Sequence, residues 1–476
     1  MMRATMMRNW TRLGYVVALT GALGACAVGP DYKKPDAPVP VAYKEMQGWK
    51  IGTPGKAASD GAWWSIYDDS VLDSLMKQID ISNQNLKAAE AAYREARAAV
   101  SGAQASFFPT VSLNGGATRA GSGSAATGTG TGSKDRTTYS ASAGADWALD
   151  IWGRIRRSVE SSSASAEASA DDLAGARLSA QTELATDYFQ LRALDEQKRL
   201  LDATIIGYAK SLDIVKNKYA SGVAARADVL TAETQLKGTQ AQVVNLGVQR
   251  AALEHAIAVL TGRPPAALTL ASGAFATDVP VFPTDLPSRL LERRPDIAGA
   301  ERRMAAANAQ IGVAEAAYFP DLTLSASYGY SSSTLGKLFQ LPNSIWSVGP
   351  SLAATLFNGG ATSAQVEQAR AAYDQSVANY RQTVLTGFQQ VEDNLASLRI
   401  LEDQAKIQAD TVASAREAER LTINQYKAGT VDYTSVVTAQ ATRLNSEITA
   451  LGIQRDRLTA SVALVSAVGG GWKATP

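Results

Sequence analysis

The chain has 476 residues, 46 basic against 45 acidic side chains, one histidine and one cysteine. So even a balance gives no electrostatic case for nucleic acid, and a single His and a single Cys leave little scope for His/Cys metal clusters or Cys–His catalysis. The acidic side chains are scattered along helical faces, where they read as solvated charge; no cofactor and no enzymatic chemistry are expected.

Residues 1–25 read as a secretory signal peptide, with Arg3, Arg8 and Arg12 as its basic region and residues 15–23 as its short apolar core. That core is too short to span a membrane as a mature helix. It ends Leu23-Gly24-Ala25-Cys26, which resembles the lipobox of bacterial lipoproteins, where Cys26 would become the acylated first residue. The plainer alternative is a buried structural cysteine. Ala27 follows, in place of the Asp that typically retains a lipoprotein in the inner membrane. Residues 26–62 are then a lipidated N-terminal lead, Pro-rich and extended over 29–40.

A first structural repeat is expected over 63–262. Trp63-Trp64 opens a short helical region, residues 71–81, and Leu86, Ala89, Tyr93, Ala96 and Val100 give a longer helix at heptad spacing. Phe107-Phe108-Pro109 stops it. Residues 111–117 alternate weakly, the poorest of four predicted strands. Residues 121–133 are Gly/Ser/Thr low complexity without a phosphate-binding motif, and read as a mobile loop. Residues 139–149 give a second strand, with Tyr139 and Trp147 on its apolar face. From 154 to 219 there is no proline, and a three-four spacing of apolar residues predicts a helix of about 100 Å. A returning helix in heptad register runs to Leu260 and stops at Thr261-Gly262-Arg263-Pro264-Pro265. Lone His255 reads as a helix-surface residue.

A Pro-rich link, 263–287, leads to a second repeat over 288–468, with 469–476 as a tail. Ile297, Ala300, Met304, Ala307, Ile311, Ala314 and Tyr318 form a heptad series ending at Phe319-Pro320. Residues 322–330 then alternate cleanly: Leu322, Leu324, Ala326, Tyr328 and Tyr330 on one face, Thr323, Ser325, Ser327 and Gly329 on the other. Residues 346–356 do the same, with Trp346, Val348 and Leu352 on the apolar face. At about ten residues each, these match tilted strands crossing a bilayer. A long helix to Tyr426 and a returning helix close the repeat. Phe108-Pro109 echoes Phe319-Pro320, and Tyr219-Ala220-Ser221-Gly222 echoes Tyr426-Lys427-Ala428-Gly429, at offsets of about 207 to 211 residues. Four strands cannot close a barrel and open edges are not tolerated in lipid, so the chain must share its sheet with copies of itself. A soluble hairpin packed on a core would alternate in the same way, but the pattern occurs twice and the rest of the chain is helix with no other sheet to pack on. A lipid-anchored coiled coil with no pore would require the alternation to be incidental.

The mature start Cys26-Ala27-Val28-Gly29-Pro30-Asp31-Tyr32, the Trp63-Trp64 segment, Leu290-Leu291-Glu292-Arg293-Arg294-Pro295-Asp296-Ile297, residues 314–322 and the Gly469-Gly470-Gly471-Trp472 ending together resemble the outer-membrane factors: TolC-like efflux proteins, in their OprM/NodT-type lipoprotein branch. The resemblance implies α plus transmembrane β architecture. A homotrimer would form a twelve-stranded barrel, four strands per chain, in the bacterial outer membrane, continued by a periplasmic helical barrel. It also implies a passive exit duct for small toxic molecules, working with a periplasmic membrane-fusion adaptor and an inner-membrane RND-type transporter; a type I protein-secretion channel is the alternative. In such proteins the helical turns dock the adaptor, here Tyr219, Gly222, Val223, Gly429 and Thr430, and polar links near them close the aperture: Asp228 and Tyr426 match those positions here, with Arg226 and Asp432 nearby as substitutes for the rest. The pattern departs at Val431, where relatives often carry a basic residue, and at Ser435 and Thr438, where some carry aspartates. The barrel's outward, lipid-facing side would present Tyr139, Trp147, Leu322, Leu324, Tyr328, Trp346, Val348 and Leu352.

Overall fold

A computed structural model describes residues 27–37, 39–40, 42–45, 62–121, 136–276, 278–280 and 293–470. The expected signal peptide, Cys26, nearly all of the Gly/Ser/Thr loop, part of the Pro-rich link and the last six residues lie outside the described residues.

The chain opens with the extended lead and a 3-10 turn at Trp63–Tyr67, followed by α1 (Ser70–Ser82) and α2 (Gln84–Ala105). The helix expected over 71–81 is α1, and Trp63 and Trp64 precede it in a turn of their own, which Asp68, with a left-handed φ of 49°, separates from α1. Asp69 then restarts the chain as an N-cap, its Oδ1 accepting from the amides of Val71 and Leu72. Next come β1 (Thr110–Ala120), β2 (Arg136–Leu149), α3 (Arg154–Ala220) and α4 (Arg226–Leu260). The second half repeats the order with α5 (Pro295–Ala316), β3 (Asp321–Ser332), β4 (Ser344–Ala353), α6 (Ala361–Ala428) and α7 (Tyr433–Ala467). Corresponding helices match in length: 22 residues in α2 and α5, 67 and 68 in α3 and α6, 35 in α4 and α7. The duplication read from sequence is therefore a duplication of elements.

These elements form two compact units. One takes the N-terminal segment to Asp36 with Tyr93–Ser169 and Ala300–Tyr380. It contains an antiparallel sheet of order β1-β2-β3-β4. Strand β1, weak in the sequence, pairs with β2 along its full length, since cross-strand pairing outweighs local propensity. Strand β4 stops at Ala353 although the alternation continues to Leu356, because its partner β3 begins at Asp321, directly after Pro320. Beside the sheet, the lead is held extended against helices. Val28 N–H donates to the Trp152 carbonyl at 3.0 Å, Arg157 donates to the Gly29 carbonyl and Asp31, and Asn308 donates to the Pro30 carbonyl.

The other unit takes Ala37–Ala92, Ala170–Gly299 and Arg381–Pro476. Its core joins Trp63, Leu72, Met76, Ile79, Leu184, Tyr188, Phe189, Leu191, Ile257 and Leu458, with Leu268 and Leu270 of the link packed among them. The three-four spacing of the long helices is the signature of this burial. A polar brace holds the link in place: Asp195 receives Arg192 at 3.2 Å, Arg250 at 2.8 Å and the Gly273 amide at 3.2 Å. His255 is exposed on α4. Among the described residues no helix is long and apolar enough to cross a membrane, and no group of three or more His, Cys, Asp or Glu could hold a metal.

Candidate functional site

Side chains alternate across a strand, so register decides which residues share a face. Trp147 pairs with Leu324 and Leu324 with Pro350; Ala143 pairs with Tyr328 and Tyr328 with Trp346; Leu149, Leu322 and Leu352 line up; Ala326 lies opposite Val348. Tyr139 falls on the same parity through Ser332. All eight residues assigned to the outward side thus occupy one face, joined by Val111 and Leu113 of β1. Leu113, Trp346, Val348 and Leu352 are largely exposed, so nothing in the described chain covers that face. The other face is built from small polar residues that bond to one another. Ser325 donates to Asp146 at 2.6 Å, and the Ser327 and Ser347 hydroxyls meet at 2.9 Å. Edge strands β1 and β4 each have a neighbour on one side only. Such a sheet is stable only where lipid covers one face, water the other, and further strands both edges.

The second constellation lies where α3 turns into α4 and α6 into α7. Both turns end their helix the same way. Val223 N–H bonds the Lys218 carbonyl while Gly222 N–H bonds the Tyr219 carbonyl; Thr430 N–H bonds the Gln425 carbonyl while Gly429 N–H bonds the Tyr426 carbonyl. This double bonding needs a left-handed residue at the cap, and the glycines supply it with φ of 78° and 81°. Tyr219, Gly222, Val223, Gly429 and Thr430 are all exposed. One small apolar cluster ties the two turns together: Leu212, Val215, Ala232, Tyr426, Tyr433 and Val436.

The four aperture residues meet different fates. Asp432 is the N-cap of α7, accepting from the Ser435 amide at 2.9 Å and hydroxyl at 2.7 Å. The hydroxyl, then the amide, holds its carboxyl below the usual carboxylate range. Asp228 sits in the first turn of α4 and its Oδ2 accepts from the Ala225 amide at 3.2 Å. Within the chain it bonds neither Tyr426 nor Arg226, because a capping geometry is already satisfied one turn away. Arg226 is exposed. Tyr426 is buried, with its hydroxyl lacking a hydrogen-bond partner among the described residues. Burial first, and the Asp228 charge second, push its pKa up. Neighbouring Tyr433, 5.4 Å away ring to ring, is pushed up to about 12, again mainly by burial.

Sequence reading missed Lys218, whose ammonium lies 4.1 Å from the Tyr426 ring centroid and donates to the Tyr426 carbonyl. It gave no signal, since a lysine one residue before the turn tyrosine looks like any solvated helix charge. It also read Ser435 only as a missing aspartate, although Asp432 three residues before Ser435 and the apolar Val436-Val437 is a legible capping pattern.

The family model of outer membrane efflux proteins matches residues 75–263 and 286–470. The chain is 32% identical over 458 residues to the pyoverdine export outer membrane protein OpmQ of Pseudomonas aeruginosa, covering 95% of each chain. It is 30% identical over 453 residues to a probable efflux pump outer membrane protein, TtgC of Pseudomonas putida, covering 94% of this chain and 93% of that one. Among solved structures it resembles the outer-membrane channel OprN, with TM-score 0.87 and 29% identity, over 94% of this chain and 100% of that one. It likewise resembles the open state of the MtrE outer membrane channel of Neisseria gonorrhoeae, with TM-score 0.80 and 26% identity, over 94% and 99%.

Proposed function

The chain belongs to the outer membrane efflux protein family, and from that premise we propose that three copies form the passive outer duct of a tripartite efflux assembly. The observation that carries this reading is the sheet: one face that carries its large aromatic and aliphatic side chains, one face of mostly small polar residues, and two unpaired edges. Copies of the chain satisfy the edges, lipid takes the apolar face, and the serine-lined face becomes a wet lumen. The duct performs no chemistry. Solutes pass along a surface of hydroxyls and backbone, and the driving energy comes from an inner-membrane RND-type transporter through a periplasmic adaptor.

Docking of that adaptor falls to the exposed helical turns. Val223 at the first turn is 73% exposed, an apolar side chain offered to water on a rigid cap. Closure falls to Asp228, Tyr426, Arg226 and Asp432 of neighbouring chains: Tyr426 holds an unused hydroxyl donor, and the Asp228 carboxylate is near enough to perturb it. A lipid anchor on Cys26 fits the lead, since the Val28 amide is tied to Trp152 at the strand-to-helix junction, where the membrane boundary would run.

Single-channel recording of the purified protein in planar bilayers tests the reading. Stable conductance in trimer-sized steps is expected, and Asp228→Ala combined with Tyr426→Phe should raise it. Absence of any conductance from correctly folded trimers would refute the duct. An unchanged value in the double variant would place the latch elsewhere.

A further inference from the structure

The loop between β3 and β4 is unlike its counterpart. Residues 121–135, between β1 and β2, contain no large apolar side chain, whereas residues 333–343 carry Leu335, Leu338, Phe339 and Leu341. This second loop is built, not slack. It folds into two 3-10 turns, Leu335–Lys337 and Leu341–Asn343, and Asn343 Nδ2 ties them by donating to the Lys337 carbonyl at 2.6 Å. Leu338 is buried. Yet Leu335, Phe339 and Leu341 are 63%, 72% and 80% exposed. A compact loop that holds three large apolar side chains in water has an occupant missing.

The direction of the loop identifies it. Phe339 packs edge-on against Tyr330 at 5.6 Å, and Tyr330 against Tyr328 at 5.7 Å. Tyr328 and Tyr330 share the parity of Leu322 and Leu324, so the aromatic row continues the lipid-facing side of the sheet into the loop. Trp346, opposite Tyr328, belongs to the same row. Aromatic side chains of this kind mark the membrane–water boundary. Lys337 is the only charged residue in 333–343 and is exposed. A lysine among apolar side chains suits a layer where acyl chains give way to phosphate-bearing headgroups.

We infer that residues 335–341 form a lipid-embedded foot, inserted at the acyl–headgroup boundary of the outer leaflet, with Lys337 directed to headgroup phosphates. The inference rests on the barrel orientation proposed above. It makes the two hairpins unequal, since residues 121–135 carry no counterpart of Leu335, Phe339 and Leu341.

Nitroxide labelling tests both ideas separately. Cysteines are introduced singly at Phe339, Leu341, Val348 and Ser347, the native chain serving as the control for labelling at Cys26. Trimers are reconstituted into phosphatidylethanolamine–phosphatidylglycerol vesicles. Collisions with oxygen, which concentrates in lipid, are compared with those of a water-soluble nickel chelate. Positions 339 and 341 should favour oxygen as Val348 does, while Ser347 on the opposite face favours nickel. Nickel dominance at 339 and 341, with Val348 still favouring oxygen, would overturn the foot alone. Protection of 339 from both reagents would also overturn it, by showing that a second copy of the chain is the occupant. A reversed pattern at 347 and 348 would overturn the barrel orientation and the foot together.

Discussion

Val348→Arg measured against Ser347→Arg asks which side of the sheet meets lipid. Val348 is the fifth of ten residues in β4 and lies opposite Ala326. Ten residues rise about 33 Å along a strand, and a tilt near 45° reduces that to roughly 23 Å, the height of the apolar band of such barrels. Val348 is therefore near the bilayer midplane, where a lipid-facing arginine costs about 2–4 kcal/mol. Three copies raise the penalty to about 6–12 kcal/mol per trimer. Ser347 points to the other face, where its hydroxyl meets Ser327 at 2.9 Å. Losing one neutral hydrogen bond there costs about 1 kcal/mol per chain, and a solvated lumen accepts the charge. Even the narrowest difference, about 3 kcal/mol per trimer, is more than a hundredfold in an assembly equilibrium. The readout is the fraction of trimer surviving on unheated gels from membranes of equal expression. Val348→Arg should lose most of it and Ser347→Arg should keep it while altering conductance. Equal losses, or the reverse order, would refute the assignment of faces.

Other expectations follow from single residues. Gly222→Ala and Gly429→Ala meet no atom within 4 Å, so each should cost only the backbone term, about 1 kcal/mol, in urea unfolding of detergent-solubilised trimers; a larger loss would mean the turns are covered. The Asp195 side chain is 2% exposed and serves Arg192, Arg250 and the Gly273 amide, so Asp195→Ala should cost about 3–5 kcal/mol and open the link near residues 268–276 to protease. An unchanged digestion pattern would count against the brace. Burial, and secondarily Glu183, raise the Asp187 pKa to about 6. An acid whose folded pKa is raised contributes stability below its unfolded value near 4, and loses that contribution as pH rises through about 6. Asp187→Asn should thus stabilise by about 1 kcal/mol at pH 8, after discounting for solvent screening, and by nothing at pH 4. A gain of equal size at both pH values would show that charge is not the cause.

Much of the fold was legible because its parts are extreme. Helices of 67 and 68 residues leave a three-four spacing too long to misread, and strands with lipid on one face leave clean alternation. Boundaries were less legible where they depend on a partner: β1 gains its full length from β2, and β4 ends where β3 begins. At the turns, the glycines and tyrosines could be found by their repeat. What Asp228 does could not, because its choice among Ala225, Tyr426 and Arg226 depends on local competition between hydrogen bonds that no spacing records. The apolar side chains of residues 335–341 carry no legible signal of their own, since without register their direction is unknown.

The two open edges of the sheet have a genetic corollary. Each β1 needs a β4 from another chain, so in a trimer every seam joins two gene products. A subunit that still pairs at one edge but is defective at the other is not silently discarded; it enters assemblies and spoils them. If such a variant is produced in equal amount beside the normal chain and the two mix at random, only roughly one trimer in eight is wholly normal. Variants of the edge strands should therefore behave as dominant poisons, whereas variants that prevent folding outright should be recessive.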